Sequence, residues 1–208
     1  MPFVTRCSFV TWLCYSLCIA QSQADLPTLK PPDPIAIRPL LPSDAPLLEE
    51  FLTRLSDETR YLRFLATIRR FTPEQLEHLT HIRPDRDVAL AAVTSNPRGE
   101  EIVGVARYAG LSDPRKAEFA LVVRDDLQGH GIGTELMQAL IEIAHDQGLT
   151  CLEGLVLATN HKMLELMSHL GFQVMPDAQD PTMRRVVLTL AVHAAANEEA
   201  DPDLISSL

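Results

Sequence analysis

Gln128-Gly129-His130-Gly131-Ile132-Gly133-Thr134 puts a glycine at every second position, between a short apolar run and a helix-like one. The chemistry open to such a stretch belongs to the backbone. N–H groups in the first turn of a helix lack partners and carry partial positive charge. A phosphate reaches them where no side chain blocks its approach. A strand, a glycine loop and a helix in that order are therefore the outline of a pyrophosphate site. Two charged-ligand motifs are excluded by spacing. A P-loop wants Gly-Lys-Ser or Gly-Lys-Thr, and this loop holds no lysine. A dinucleotide GxGxxG wants its third glycine where Thr134 or Leu136 stands. Two readings stay open on the residues alone: a phosphate cradle, or a turn that needs glycine for geometry only.

The elements that must position this loop follow from periodicity. Ile35 to Leu40 reads as a short strand. Ser43 reads as the N-cap of a helix whose apolar face is Leu47, Leu48, Phe51, Leu52 and Leu55. Asp57 to Ile68 reads as a second helical piece. Thr72-Pro73-Glu74-Gln75 has the form of a capping box with proline at the first helical position. The period then changes. Val88 to Ser95 and Glu101 to Gly110 read as a hairpin across Asn96-Pro97-Arg98-Gly99, and Ala117 to Val123 as a third strand. The helix after the glycine loop carries Leu136, Leu140, Ile143 and Ala144 on one face and ends at Gly148. Cys151 to Thr159 reads as a strand, and Asn160 opens a helix that Gly171 stops. Phe172 to Met175 and Arg184 to Leu190 close the sheet. There is no internal repeat.

Gln128 to Gly133 fits the Q/R-x-x-G-x-G/A signature of the GNAT acyltransferases. It follows an apolar strand with a Val122-Val123-Arg124-Asp125-Asp126 exit. Asn160 stands eleven residues before Gly171-Phe172, as in that family's last helix. Over Ile35 to Leu190 the chain resembles this family in motifs and element order. LSDETRYLRF, RKAEFALVVRDDLQGHGIG and CLEGLVLATNHKML also resemble the GNAT domain of Pat-type protein lysine acetyltransferases. In those proteins the domain is often fused to an acyl-CoA synthetase-like or cyclic-nucleotide-binding module. The residues before Ile35 are too few for either, so that regulation is not expected here.

The resemblance implies an α/β fold: a central mixed, mostly antiparallel twisted sheet flanked by helices. It implies acetyl-CoA as co-substrate, with no metal. Amides of Gln128, Gly129, His130, Gly131, Ile132, Gly133 and Thr134 would hold the pyrophosphate. The backbone of Leu121, Val122 and Val123 would meet the pantetheine arm, and Asn160 would bond the cofactor near the mouth. His130 would either touch phosphate or stay solvated. The acceptor would be an amine, a protein lysine before a small molecule. A lysine amine is mostly protonated at neutral pH, so a base must take a proton. Glu118 matches the general base of the Pat-type motif, and a partly apolar site would suit it. An ion pair with Arg107 or Arg115 is the competing role for Glu118. The N–H of Val122 would steady the oxyanion. Many relatives carry a proton-donating tyrosine where Met167 stands here; Ser168 points elsewhere on a helix, so the thiolate would leave unprotonated. Tyr61, Arg63 and Phe64 would lie where the family builds its acceptor groove, with core and surface positions of an ordinary helix as their competing role. A non-catalytic acyl-CoA sensor is the alternative class.

Composition bounds the rest. The chain has 208 residues and a formal charge of -10, which argues against general nucleic-acid binding. Cys7, Cys14, Cys18 and Cys151 include no CxxC pair, so neither a zinc ribbon nor a disulfide framework is expected. His78 and His81 share a helix face without an evident third ligand. Residues 1–34 are an apolar segment and a linker with prolines at 27, 31, 32 and 34, residues 35–192 the domain, and residues 193–208 an acidic tail. Cys7 to Ala20 is uncharged, long enough for a signal core and short for a span. Acetyl-CoA is made inside cells, so the expected location is cytoplasmic. Export or membrane anchoring through residues 6–20 is the alternative.

Overall fold

The run Asp87–Asn96 is apolar at all six positions from Val88 to Val93 rather than at alternate ones, the mark of a strand covered on both faces. A computed structural model gives the fold for residues 34–191, except Pro84 and Arg98. In it this run is β2, one strand from the edge of a seven-stranded sheet. The strands are β1 (Ile35–Pro39), β2, β3 (Gly99–Gly110), β4 (Lys116–Val123), β5 (Cys151–Leu157), β6 (Gln173–Pro176) and β7 (Met183–Thr189). Their order is β1-β2-β3-β4-β5-β7-β6. Every pairing is antiparallel except β4 with β5. This is the mixed, mostly antiparallel α/β sheet expected of a GNAT fold. The apolar N-terminal segment, the proline-rich linker and the acidic tail lie outside the described residues.

Two apolar clusters sit on opposite faces of the sheet. Helices α1 (Ala45–Arg54) and α3 (Pro73–Thr80) cover one face, where Leu48, Phe51, Leu52, Leu55 and Leu76 meet Ala91, Val105 and Val122. Helices α4 (Ile132–Asp146) and α5 (His161–His169) cover the other, where Leu136, Met137, Leu140 and Met167 meet Ala106, Phe119, Leu121 and Val186. Each of those large helix side chains contributes about 1.5–3 kcal/mol by leaving water. Strand alternation in β4 assigns Ala117, Phe119, Leu121 and Val123 to the α4 face. Glu118, Ala120 and Val122 take the α1 face.

Three local expectations are corrected. Ser43 does not cap α1. Pro42–Asp44 form a 3-10 turn, and α1 starts at Ala45 with no side-chain cap. Asp44 draws the chain there: its carboxylate accepts from Arg38 at 2.7 and 3.0 Å and from the Leu41 N–H at 2.8 Å. The second helix, α2 (Asp57–Phe64), ends four residues before Ile68, because Leu65 turns left-handed at φ 53°. β5 ends at Leu157, two residues short of Thr159. The capping box at Thr72 forms as read: the Gln75 N–H donates to Thr72 Oγ1 at 3.3 Å, and the Thr72 N–H to Gln75 Oε1 at 2.9 Å.

Candidate active site

β4 and β5 run parallel for only three residue pairs, Lys116–Cys151, Ala117–Leu152 and Glu118–Glu153. β4 continues to Val123 against β3, and β5 continues to Leu157 against β7. The sheet therefore opens between them after Glu118. Phe119 fills the floor at the parting point. Its ring lies over Gly154, where an added Cβ would stand 3.0 Å from Phe119 Cε1, and it packs on Phe172 with ring centroids 5.1 Å apart.

Which backbone groups face that opening follows from the ladder. The Arg124 N–H reaches the Val103 carbonyl at 2.9 Å, and the β3–β4 register has no shift. Even-numbered residues of β4 thus turn their N–H and C=O toward β3, and odd-numbered ones toward β5. The Thr150 N–H bonding the Arg115 carbonyl at 2.8 Å agrees. The Val122 N–H is consequently committed to β3, which corrects its expected oxyanion role. The amides turned to the gap beyond the last paired residues are those of Leu121 and Val123. The Val123 carbonyl is already used, accepting from Gln128 Nε2 at 3.1 Å.

At the open end of β4 the chain makes a short 3-10 turn, Asp125–Leu127, and enters the glycine loop. Gly129 and Gly131 take φ of 79° and 88°, left-handed values that a Cβ would disfavour. An added Cβ would touch nothing within 4 Å at either, so space inside the protein is not the constraint. Gly133 differs. It lies in the first turn of α4, and a Cβ there would stand 3.4 Å from both Leu121 Cδ2 and Leu166 Cδ2. The first helical bond of α4 joins the Glu135 N–H to the Gly131 carbonyl at 3.0 Å, and no side chain caps this end. Amides from Gly129 to Thr134 are thereby left without helix partners, at the positive end of a fifteen-residue dipole. Ile132 is buried under the turn and anchors it. His130 is exposed, with Nδ1 3.0 Å from the Gln128 carbonyl. The side chain of Gln128 shapes the loop from within, and Lys162 donates to its Oε1 at 3.4 Å.

Glu118 is exposed on β4, on the α1 face, at the last paired residue before the opening. It is not walled by apolar groups as expected. Among the described residues it forms no ion pair with Arg107 or Arg115. Its neighbour in register, Glu153, is engaged by Arg185 at 3.4 Å, and Arg185 also holds Asp177 at 3.2 Å. Above this face lies a small cleft between α1, α2 and the sheet, walled mostly by apolar side chains such as Leu48, Phe51, Phe64 and Val105, with Arg63 and Arg107 as its only charged lining groups. Arg63 and Phe64 thus line it, while Tyr61 is exposed.

Asn160 N-caps α5: its Oδ1 accepts from the Met163 N–H at 3.2 Å, which leaves its amide NH2 for any ligand. Met167 is fully buried in the α4-side core, and Ser168 donates to the Leu164 carbonyl of its own helix at 2.9 Å. Neither offers a proton at the opening. Among the described residues no three His, Cys, Asp or Glu side chains are grouped to hold a metal ion, and no helix is long and apolar enough to cross a membrane.

Sequence reasoning missed one cluster. Asp125 accepts from the Ser56 N–H at 2.9 Å, Ser56 Oγ at 2.6 Å and Thr59 Oγ1 at 2.6 Å. Gln128 Nε2 also donates to Thr59 Oγ1 at 3.4 Å. The start of α2 is therefore tied to the chain entering the glycine loop. Ser56 caps α2, its Oγ accepting from the Thr59 N–H at 3.1 Å, and its partner Asp125 lies sixty-nine residues away in the chain. The hydrogen bonds from Ser56 and Thr59 outweigh burial and hold the Asp125 carboxyl below its ordinary value.

An opened parallel strand pair beside an uncapped, glycine-lined helix start suits an extended chain ending in a pyrophosphate. The profile of the Acetyltransferase (GNAT) family matches residues 51–172. The chain belongs to that family. It is 33% identical over 148 residues to Acetyltransferase PA5475 of Pseudomonas aeruginosa, covering 71% of this chain and 80% of that one. It is 33% identical over 135 residues to Acetyltransferase Pat of Mycolicibacterium smegmatis, covering 65% of this chain and 40% of that longer protein. The crystal structure of the GNAT domain of Streptomyces lividans PAT superposes with a TM-score of 0.67 at 26% identity, covering 74% of this chain and 89% of that one. The chain is thus an acetyl-CoA-dependent acetyltransferase of the GNAT family, and the site fits that co-substrate by its free strand edge and free helix amides.

Proposed function

We propose that this GNAT domain transfers acetyl to a primary amine, by preference a protein lysine side chain, with Glu118 as general base. The observation that carries this reading is the placement of Glu118. Among the described residues it is a carboxylate that forms no ion pair, at the point where the sheet opens, while Glu153 beside it pairs with Arg185. Acetyl-CoA supplies an acetyl group activated as a thioester. Amides of Gly129 to Thr134 hold its pyrophosphate, and Leu121 and Val123 present backbone groups to its pantetheine arm. Asn160 offers its amide NH2 near the mouth. Glu118 takes a proton from the acceptor ammonium, directly or through water, which frees the nitrogen lone pair. The C–N bond then forms as the C–S bond breaks, and the nitrogen gives up its second proton to water or to the departing sulfur. The gap-facing N–H groups of Leu121 and Val123 steady charge on the carbonyl oxygen. The thiol, with an ordinary pKa near 8.5, leaves as thiolate without a dedicated acid.

Label transfer from radiolabelled acetyl-CoA to proteins of a cell lysate tests this, with Glu118→Gln beside the natural chain. Labelled bands that weaken about 100-fold or more in the variant support a lysine acetyltransferase with this base. Equal labelling by both chains removes Glu118 from the chemistry. Coenzyme A binding with no labelled band turns the reading to a small-amine acceptor or to a sensor.

A further inference from the structure

Arg63 and Arg107 line the cleft beside Glu118. Arg63 rises from α2, and Arg107 from β3 on the same sheet face as Glu118. Ala109 pairs with Glu118 and Arg107 with Ala120, which makes Arg107 a diagonal neighbour of Glu118. Both arginines are half-buried. Neither forms an ion pair within bridging distance among the described residues. Arg107 reaches only the Leu79 carbonyl, at 3.5 Å, and Arg63 lies 4.8 Å from the centre of the Phe64 ring. Asp87 is within electrostatic reach of Arg107 but is bonded by Arg83 at 2.8 and 2.9 Å.

This is a costly arrangement. Burial pushes the Arg63 guanidinium down to about 10; Arg107 adds to the shift and Glu118 opposes it. Burial also pushes Arg107 down. Both stay cationic at neutral pH. In a chain of 28 acidic and 18 basic residues, partners for two arginines were available, yet these two face a cleft instead. Arg38, Arg54, Arg83, Arg124 and Arg185 all have carboxylates. A guanidinium fork fits a carboxylate with two parallel bonds.

We propose that Arg63 and Arg107 bind a carboxylate carried by the acceptor close to its reactive amine. The amine then lies at Glu118 and the carboxylate at the arginines, so the acceptor is zwitterionic at this end. Two sources share that chemistry: a free amino acid, and a lysine with an acidic neighbour in a polypeptide. This rests on the acetyl-transfer reading above and names its acceptor class.

The test measures coenzyme A thiol release by the full chain with paired acceptors. One set is L-leucine and L-lysine against their α-amides. The other is an N-terminally blocked lysine peptide with glutamate beside the lysine, against the same peptide with glutamine. The carboxylate member of a pair is expected to have the higher kcat/KM by about 10- to 100-fold, the worth of a charge-assisted pair. Preference in the first set assigns the free amino acid; preference in the second assigns the polypeptide. Arg63→Met and Arg107→Met should narrow the acid-to-amide ratio, and Arg63→Lys should restore part of it. Equal use of both members in both sets overturns the inference and leaves acetyl transfer standing. Absence of thiol release with every acceptor overturns the acetyl-transfer reading and this inference with it.

Discussion

Gly131 and Gly148 make a matched pair for asking what the loop glycines do. Both are left-handed, at φ 88° and 75°, and an added Cβ would meet nothing within 4 Å at either. Alanine therefore adds conformational strain without a clash, about 1–2 kcal/mol at each site. For a chain of this size that lowers Tm by roughly 2–8 °C. The two differ in what surrounds them. Gly148 follows α4, whereas Gly131 sits among the unpartnered amides at its start. A methyl there stands in the path of a phosphate, and losing one hydrogen bond to a charged group weakens binding by about 10- to 100-fold. Thermal melts of both variants, with calorimetric titration of coenzyme A and of pantetheine, separate the effects. Both variants should lose similar stability. Only Gly131→Ala should weaken coenzyme A, and pantetheine, which lacks the pyrophosphate, should bind it as it binds the natural chain. Unchanged coenzyme A affinity in Gly131→Ala refutes the phosphate cradle and leaves the glycine a purely geometric role.

Asp125→Ala removes the acceptor of three hydrogen bonds between α2 and the loop. It should cost about 1–3 kcal/mol in urea unfolding and raise the acceptor KM, since α2 carries Arg63. Stability should fall in acid: Asp44, bonded by Arg38, and Asp87 and Asp125, whose hydrogen bonds outweigh burial, all have carboxyls held below 3.8. Because the folded values are the lower ones, this stability is present above the unfolded value and is lost as pH falls through the folded values; a Tm that stays flat from pH 6 to pH 3 contradicts it. Coenzyme A affinity should fall little with added salt, because backbone amides screen less than exposed cations. Titration at two ionic strengths checks this, and a loss steeper than Lys162 alone would give shows that side-chain charges carry the phosphate.

Periodicity made the helices and strands legible because two apolar clusters demand them. Leu48, Phe51 and Leu52 on one face, and Leu136 and Leu140 on the other, are what a sheet covered on both sides requires. Boundaries failed where a tertiary partner outweighed the local signal. Ser43 has a capping residue's chemistry, but the Arg38 pair with Asp44 sets that turn. The loop glycines look equivalent in sequence and are not: Gly129 and Gly131 take left-handed φ with open space around them, while Gly133 lets α4 approach Leu121 and Leu166. The oxyanion donor was misread for a similar reason. Which way an amide points depends on register, and only the bond from Arg124 to Val103 fixes that even positions of β4 face β3. No spacing in the chain announces the early end of the β4–β5 ladder.

The division of labour across β4 follows from the net charge. A polyanion approaching a chain of charge -10 is repelled at long range, but that repulsion is screened within about 8 Å at physiological ionic strength. Short-range amides then decide binding, and backbone amides add no side chain to the composition. An acidic protein can therefore hold a pyrophosphate at α4 without a cationic patch. The acceptor side has no such device. On the proposed reading the strand edge and the helix start both serve the cofactor, so discrimination among amines falls to side chains on α2 and β3. Arg63 and Arg107 stand there beside Glu118, with Asp125 bracing α2 against the loop. A substitution on α2 is therefore expected to act on acceptor choice first, and on the cofactor only through Thr59 and Asp125.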